Sequence, residues 1–259
     1  MMPGNRAKGR KKRMEWRILR LAETGSTNLD AAEAGKRGEA EGLVIVADRQ
    51  TGGKGRLGRS WYSPPGGVGL YCSVLLRPAL PPETAGLLSF CAANAMAGAV
   101  REFGFGAGIK WPNDILAEGR KICGILSSCS AGEGRLEYAV IGSGLNLRAG
   151  AYPEELKARA ACLEEFGKPP EREEILRAYL GRLETEVREL EQRGFEGVRK
   201  RYEEMCVLPG RRVRVSGSRE TEGTVTGIGP AGELLLETVE GKTEILTGDV
   251  SVRGVNGYV

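Results

Sequence analysis

The chain has 259 residues, 41% of them hydrophobic and 28% charged, which is enough to bury one substantial core and a small second one. It contains no histidine, so Ser-His and Cys-His nucleophilic catalysis and His-ligated metal sites are excluded; any chemistry must run on charge and positioning. The formal net charge of +4 is concentrated at one end, where Arg6, Lys8, Arg10, Lys11, Lys12 and Arg13 precede any acid and leave −2 for the remainder. No basic face is therefore expected on the folded part. Residues 1–13 read as a disordered basic tail, with nonspecific polyanion binding as the second reading.

Cys72, Cys91, Cys123, Cys129, Cys162 and Cys206 form no C-x-x-C pair and mostly sit in apolar runs. They read as buried thiols of a reducing cytoplasm, not as a disulfide framework or a zinc site. The longest apolar segment, Leu87 to Val100, is too short to span a bilayer.

In chain order, Trp16 to Ala22 predicts a short strand or helix. Ser26 or Thr27 is placed to cap a helix through Leu29, Ala31, Ala32 and Ala34, which Gly35 and Gly38 end; alternatively these hydroxyls and the exposed amides of the helix start face a polar ligand. Strands are expected at Leu43 to Ala47 and Gly69 to Leu76. A long helix is expected from Glu83 to Phe103, stopped by the glycines of Gly104 to Gly108.

Between the first two of those strands lies DRQTGGKGRLGRSW, Asp48 to Trp61, with glycines at 52, 53, 55 and 58 among Lys54, Arg56 and Arg59. Glycines let successive amides turn toward one point, and three cations make that point attractive to an anion such as phosphate. The spacing is not that of a P-loop, because no Gly-Lys-Ser/Thr opens a helix. The other reading is a mobile surface turn.

In GIKWPNDIL, Gly108 to Leu116, a proline breaks a strand-like run and crowds Lys110, Asn113 and Asp114 at a bend. This is either a polar turn or a place where Lys110 meets phosphate and Asp114 orients a cation or nucleotide. Glu118, Gly119 and Arg120 close a hairpin into the strand Lys121 to Ser130, and a second hairpin, Ala131 to Arg135, leads to Leu136–Leu147. Gly142 and Gly144 alternate in that strand, which implies a backbone or a ligand packed closely on one face. From Pro153 to Cys206 the texture is helical, with Leu176, Leu180, Leu183, Val187 and Leu190 forming one core-facing stripe. Past Val207-Leu208-Pro209-Gly210, short alternating segments separated by glycine turns predict a small β-barrel.

Four motifs in order, STN at Ser26, QTGGKGRLGRSW at Gln50, KWPND at Lys110 followed by RKICGIL, and GSGLN at Gly142, together resemble the biotin protein ligases. The resemblance implies an α+β fold: a mixed β-sheet with packed helices, class II synthetase-like, over residues 14–206, and a Src-homology-3-like β-barrel over 207–259. It also implies a short form without the N-terminal DNA-binding domain of larger members, hence no specific DNA partner.

The implied reaction is ATP-dependent. Biotin and ATP, with Mg²⁺, give biotinyl-5′-AMP and pyrophosphate; the biotinyl group then passes to a lysine of the biotin carboxyl carrier protein of acetyl-CoA carboxylase or a related carboxylase. No protein base is needed, because the biotin carboxylate is already ionised. By resemblance, Ser26, Thr27, Asn28 and Gln50 surround the ureido head. Gly53, Lys54, Gly55 and Arg56 close over biotin, with Gly124, Gly142 and Gly144 beside it. Lys121 meets the carboxylate and the α-phosphate and, with Arg56, is the catalytic residue. Trp61 resembles the adenine-stacking aromatic, and Arg59, Lys110, Asn113, Asp114, Asn146 and Arg253 the nucleotide contacts, Mg²⁺ arriving on ATP near Asp114 and Asn146. Lys54 departs from the arginine common at its position and loses the bidentate fork. A cytoplasmic homodimer follows from the family. The alternatives are a lipoate–protein ligase of the same fold family and, in a different class, a nucleic-acid-binding module using the tail.

Overall fold

The computed structural model describes residues 13–150, 153–157, 159–217, 220–248 and 250–254; except for Arg13, the basic tail lies outside them. The first strand, β1 (Arg17–Thr24), runs parallel to β2 (Leu43–Gln50). Parallel neighbours need a crossover, and α1 (Thr27–Lys36) supplies it. Pairing of Glu23 with Arg49 and of Thr24 with Gln50 carries β2 three residues past the expected Ala47.

The remaining strands are antiparallel: β3 (Gly69–Leu76), β4 (Gly108–Lys110), β5 (Asp114–Ala117), β6 (Arg120–Gly132) and β7 (Arg135–Asn146) complete one sheet in the order β1-β2-β3-β7-β6-β5-β4. The β5–β6 turn is as read: Glu118 and Gly119 both take positive φ, 47° and 76°, as a two-residue hairpin of this twist requires.

Two helical expectations change. The run expected as one helix from Glu83 begins as a 3-10 stretch, Pro82–Leu87, and only α2 (Leu88–Glu102) is α-helical; Pro82 supplies no amide and Gly86 resists helix, so the first turns stay tight. The stretch from Pro153 is broken as well. It holds α3 (Glu154–Lys157), a bridge from Ala160 to Lys121, a 3-10 turn (Leu163–Glu165), α4 (Arg172–Arg193) and α5 (Glu196–Met205). Gly194 at φ 80° separates the last two.

β7 shows how the sheet divides its faces. Ile141, Ser143 and Leu145 point toward the helices: Ile141 and Leu145 join the main core with residues of α2 and α4, and the Ser143 hydroxyl lies 2.9 Å from the Tyr179 hydroxyl of α4. Tyr138 and Val140 point the other way, into a small cluster with Ala31 and Ala34 of α1. Gly142 and Gly144 follow on that second face, where α1 no longer covers the sheet.

The C-terminal strands β8 (Arg212–Ser216), β9 (Thr221–Ile228), β10 (Leu234–Thr238), β11 (Gly241–Ile245) and β12 (Ser251–Gly254) form an antiparallel sheet in the order β11-β10-β9-β8-β12. It docks on the break between β4 and β5 and on α5: Trp111 Nε1 donates to Gly232 O at 2.9 Å and Arg199 Nη1 of α5 donates to Ile228 O at 3.1 Å, while Tyr202 OH joins α5 to the break by donating to Pro112 O at 3.1 Å. Val213, Val215, Val225, Leu234 and Leu236 belong to the same continuous core as the helices. Among the described residues no helix is long and apolar enough to cross a membrane.

Candidate active site

The uncovered stretch of sheet is the floor of a chamber of about 160 Å³. A Cβ on Gly144 would lie 2.5 Å from Trp61 Cε2, and one on Gly124 would lie 2.8 Å from Trp61 Cζ3 and 3.0 Å from Lys121 Nζ. One on Gly142 would collide with the Asn28 carboxamide. The alternating glycines are therefore required by side chains laid flat on the sheet.

At one end stands the start of α1. Ser26 is the N-cap residue, yet its side chain makes no capping hydrogen bond. Its Oγ is buried without a partner, a state that costs about 1–3 kcal/mol unless a ligand answers it. Of the two readings of this segment, the side-chain cap is not made. The neighbours are held firmly. Thr27 N donates to Gln50 Oε1 at 2.9 Å, Gln50 Nε2 donates to Ser63 Oγ at 3.2 Å, and Asn28 Nδ2 donates to Leu126 O at 3.2 Å. Ser73 Oγ lies 2.6 Å from Asn28 Oδ1 and 2.8 Å from Thr27 Oγ1. Ser73 was not singled out in the sequence; the one signal was a hydroxyl inside the otherwise apolar, wholly buried strand GLYCSVLL.

The roof is the Gly-rich loop. It folds as a narrow ladder in which Trp61 N donates to Gly53 O at 2.9 Å and Gly55 N donates to Arg59 O at 2.7 Å. Gly53 does not line the chamber. A Cβ there would meet Trp61 O at 2.5 Å, so its work is to let the two legs of the loop touch. Leu57, at φ 58°, makes the tip. Arg56 ties that tip down: Nη1 donates to Asn113 Oδ1 at 3.1 Å and Nη2 to Gly248 O at 2.5 Å.

At the other end the cations collect. Lys121 Nζ is 2.6 Å from Asp114 Oδ1 and 5.3 Å from the centroid of the Trp61 ring. Lys110, only 3% exposed, pairs across β4–β5 with Asp114. Burial pushes its ammonium down from 10.5 to about 8; Arg253, Lys121 and Arg59 press in the same direction and Asp114 opposes them. Four cations facing one carboxylate make an anion site.

Of the residues expected at the site, Ser26, Thr27, Asn28, Gln50, Lys54, Gly55, Arg56, Arg59, Trp61, Lys110, Asn113, Asp114, Lys121, Gly124, Gly142, Gly144 and Arg253 all line this chamber. Asn146 does not. It lies two residues past Gly144 in an adjoining cavity of about 250 Å³ with Arg120, Leu156, Ala161 and Cys162. Its Nδ2 donates to Ala161 O at 3.0 Å and its buried Oδ1 has no partner. Val250, Ser251 and Val252 bring the C-terminal sheet to the chamber wall; no periodicity in the sequence could have placed them there. Among the described residues, no group of three or more Cys, Asp or Glu side chains is arranged to hold a metal ion.

Residues 23–146 match the Biotin/lipoate A/B protein ligase family and residues 210–253 match the Biotin protein ligase C terminal domain. The chain is 34% identical over 232 residues to the bifunctional ligase/repressor BirA of Bacillus subtilis, covering 88% of this chain and 71% of that protein. It is 33% identical over 246 residues to the biotin–[acetyl-CoA-carboxylase] ligase of Mycobacterium tuberculosis, covering 91% of this chain and 89% of that one. The fold superposes on a biotin protein ligase from Aquifex aeolicus, solved in complex with biotin and ATP, with a TM-score of 0.79 at 30% identity, over 92% of this chain and 98% of that one. With both family models matched and relatives of 33–34% identity covered over 71–89% of their own length, the chain belongs to the biotin protein ligase family.

Proposed function

We infer that both half-reactions of a biotin–[acetyl-CoA-carboxylase] ligase run in this one chamber, from a single arrangement: an unpartnered hydroxyl at Ser26, a glycine floor, and the Lys121–Trp61 pair at the far end. Ser26, Thr27, Asn28 and Gln50 offer the donors and acceptors that a cyclic urea needs. The flat bicyclic ring packs against Asn28 and Trp61, the side chains that lie on the Gly142–Gly144 floor. The carboxylate then reaches Lys121, where an anion exchanges for part of the Asp114 contact.

ATP enters over the cations. Trp61 offers a face to the base, and the mostly apolar cavity beyond it, with the Asn146 Oδ1, offers a slot for the purine edge. Lys110, Arg59 and Arg253 take the phosphates. Mg²⁺ carried on the triphosphate would find its protein oxygen in Asp114; it would neutralise phosphate charge, and a hard ion bound by one protein oxygen plus phosphates suits so sparse a donor set. The biotin carboxylate attacks the α-phosphorus, a C–O–P bond forms, and pyrophosphate leaves. Held in line and neutralised, the reactants need no base. In the second half-reaction a lysine amine attacks the acyl carbon, the amide forms, AMP departs and the amine proton passes to solvent. A carboxyl-carrier domain is the acceptor.

A homodimer and a cytoplasmic location belong to the same proposal. The exposed Ile18 and Leu19 of the edge strand β1 give association an apolar surface, and sedimentation velocity tests it.

The experiment for the chamber is pyrophosphate release with biotin, lipoate and octanoate side by side. Release with biotin alone is expected. Equal release with lipoate would replace this reading with that of a lipoate–protein ligase, and release with none would remove the adenylating activity.

A further inference from the structure

The bend that carries Lys110, Asn113 and Asp114 is held from behind. Three backbone carbonyls along it accept hydrogen bonds from distant segments: Ile109 O from Val207 N at 2.9 Å, Pro112 O from Tyr202 OH at 3.1 Å, and Asn113 O from Ile125 N at 3.0 Å. Two of the three donors belong to α5 or to the segment that leaves it. The fit is close there, since a Cβ on Gly108 would collide with Val207 Cγ1. Tyr202 is fully buried, its ring centroid 4.5 Å from that of Phe90. Burial pushes its phenol well above the ordinary range, so the hydroxyl stays protonated and donates to the carbonyl of a buried residue.

The same helix holds the C-terminal sheet. Both backbone groups of Ile228, the last residue of β9, are engaged by the Arg199–Glu203 ion pair of α5. Ile228 O accepts from Arg199 Nη1 at 3.1 Å and Ile228 N donates to Glu203 Oε1 at 3.0 Å, while Arg199 Nη1 lies 3.1 Å from Glu203 Oε2. From β9 the ladder passes through β8 to β12, where Arg253 pairs with Arg214 and reaches the chamber wall.

α5 is itself anchored to the helical layer. Arg201 forks onto Glu186 of α4, Nε to Oε1 at 2.8 Å and Nη2 to Oε2 at 3.0 Å. Asn94 of α2 donates through Nδ2 to Glu186 Oε2 at 3.1 Å and to Val198 O of α5 at 2.9 Å. Glu186 and Asn94 are buried, so this network is costly to leave half-made and fixes one position for the helix. Lys110 and Arg253 therefore approach the chamber from different sheets yet hang from one helix of ten residues.

Resting on the ligase reading above, we propose that α5 sets the spacing between the Lys110–Asp114 bend and Arg253, and that Tyr202 and Glu203 are positioning residues for the triphosphate. Neither lines the chamber. Tyr202 acts through the bend, by way of Pro112 O, and Glu203 acts through Arg253, by way of Ile228 N. A triphosphate that meets both groups is sensitive to the distance between them.

The test is a set of double-mutant cycles in the full chain, with Tyr202→Phe, Glu203→Ala, Lys110→Ala and Arg253→Ala made singly and in cross pairs. Pyrophosphate release gives kcat, KM for ATP and KM for biotin. Tyr202→Phe and Glu203→Ala should each raise KM for ATP about fivefold, the worth of one hydrogen bond, with KM for biotin within about twofold of wild type. Glu203→Ala should lose its effect in the Arg253→Ala background and keep it in the Lys110→Ala background; Tyr202→Phe should show the opposite pattern. Glu203→Gln, whose amide oxygen still accepts from Ile228 N, should restore KM for ATP. Tyr202→Phe removes only the hydroxyl and keeps the ring packing, so its cycle stands even where Glu203→Ala fails to fold. Multiplicative losses in every pair, equal rises in KM for biotin and ATP, or no rescue by glutamine would overturn the proposal and leave α5 a structural support alone. An unchanged KM for ATP in any of the four single variants would overturn it as well. Failure of the underlying ligase reading looks different, because wild type itself would then release no pyrophosphate with biotin.

Discussion

One strand serves two faces that obey opposite rules. On β7, Ile141 and Leu145 are fully buried against the helices, while the intervening Gly142 and Gly144 carry no side chain so that Asn28 and Trp61 can lie against the backbone. On the helical face stability comes from filling space; on the other, function comes from leaving it empty. Because neighbouring residues alternate between these duties, a substitution at one position should damage stability and the same substitution one residue along should damage catalysis.

The largest effect is expected at the charged end of the open face. Lys121→Ala should lower kcat for adenylation by about 10²–10³-fold with a much smaller change in the KM for ATP, since the charge facing this ammonium grows only as the α-phosphorus is attacked. Rapid-quench measurement of the adenylate separates the two. Equal losses in kcat and affinity would make Lys121 a binding residue only. Next comes Gly144→Val, whose Cβ has no room beneath Trp61, 2.5 Å away. Displacing a positioning ring by an ångström costs about 10²-fold, and the melting temperature should hardly move. A fall in stability without loss of adenylation would show that the glycine serves packing, and the contrast between the faces would fail.

Ile141→Ala, three residues earlier and 0% exposed, should do the reverse: about 2–5 kcal/mol of stability lost, read by denaturant unfolding, with adenylation per folded molecule unchanged.

How far the two faces were legible in the sequence follows from the same contrast. The filled face announces itself by periodicity, so the strands from Gly69 to Leu76 and Leu136 to Leu147 and the helical stripe from Leu176 to Leu190 emerge with nearly their true bounds. The open face announces itself by what should not be there, namely glycines inside a strand, a cationic loop, and a proline at Pro112. What stayed hidden depends on chain reversal in space. That Gly248 holds Arg56 across 192 residues, and that Val250 to Arg253 wall the chamber, follows from docking of the C-terminal sheet on Trp111 and Arg199, which no local pattern encodes. Ser26 is the instructive middle case. Its residue type fits a helix cap equally well, and only the structure shows that the capping bond is not made and that its hydroxyl is buried without a partner.

The smallest expected effect concerns pH, and it separates the two duties within one residue. Lys110 is buried, and its ammonium is pushed down from 10.5 to about 8 by that burial and by Arg253, Lys121 and Arg59. Above pH 8 the folded protein loses a charge that the unfolded chain keeps until 10.5. The unfolded state then binds the more protons, so this group's contribution to stability rises with pH between those values: the penalty for a buried charge is present below 8 and relieved above it. Phosphate binding runs the other way, because the neutral amine no longer attracts ATP. The profile of kcat/KM for ATP, which reports the free enzyme, should therefore fall about tenfold per pH unit above a break near 8, while thermal stability gains over the same range. Lys110→Arg supplies a cation that does not titrate there, and its profile should stay flat through the break. A break that persists unchanged in the arginine variant would belong to another group, and the anion site would then owe its strength to the three remaining cations, Arg253, Lys121 and Arg59.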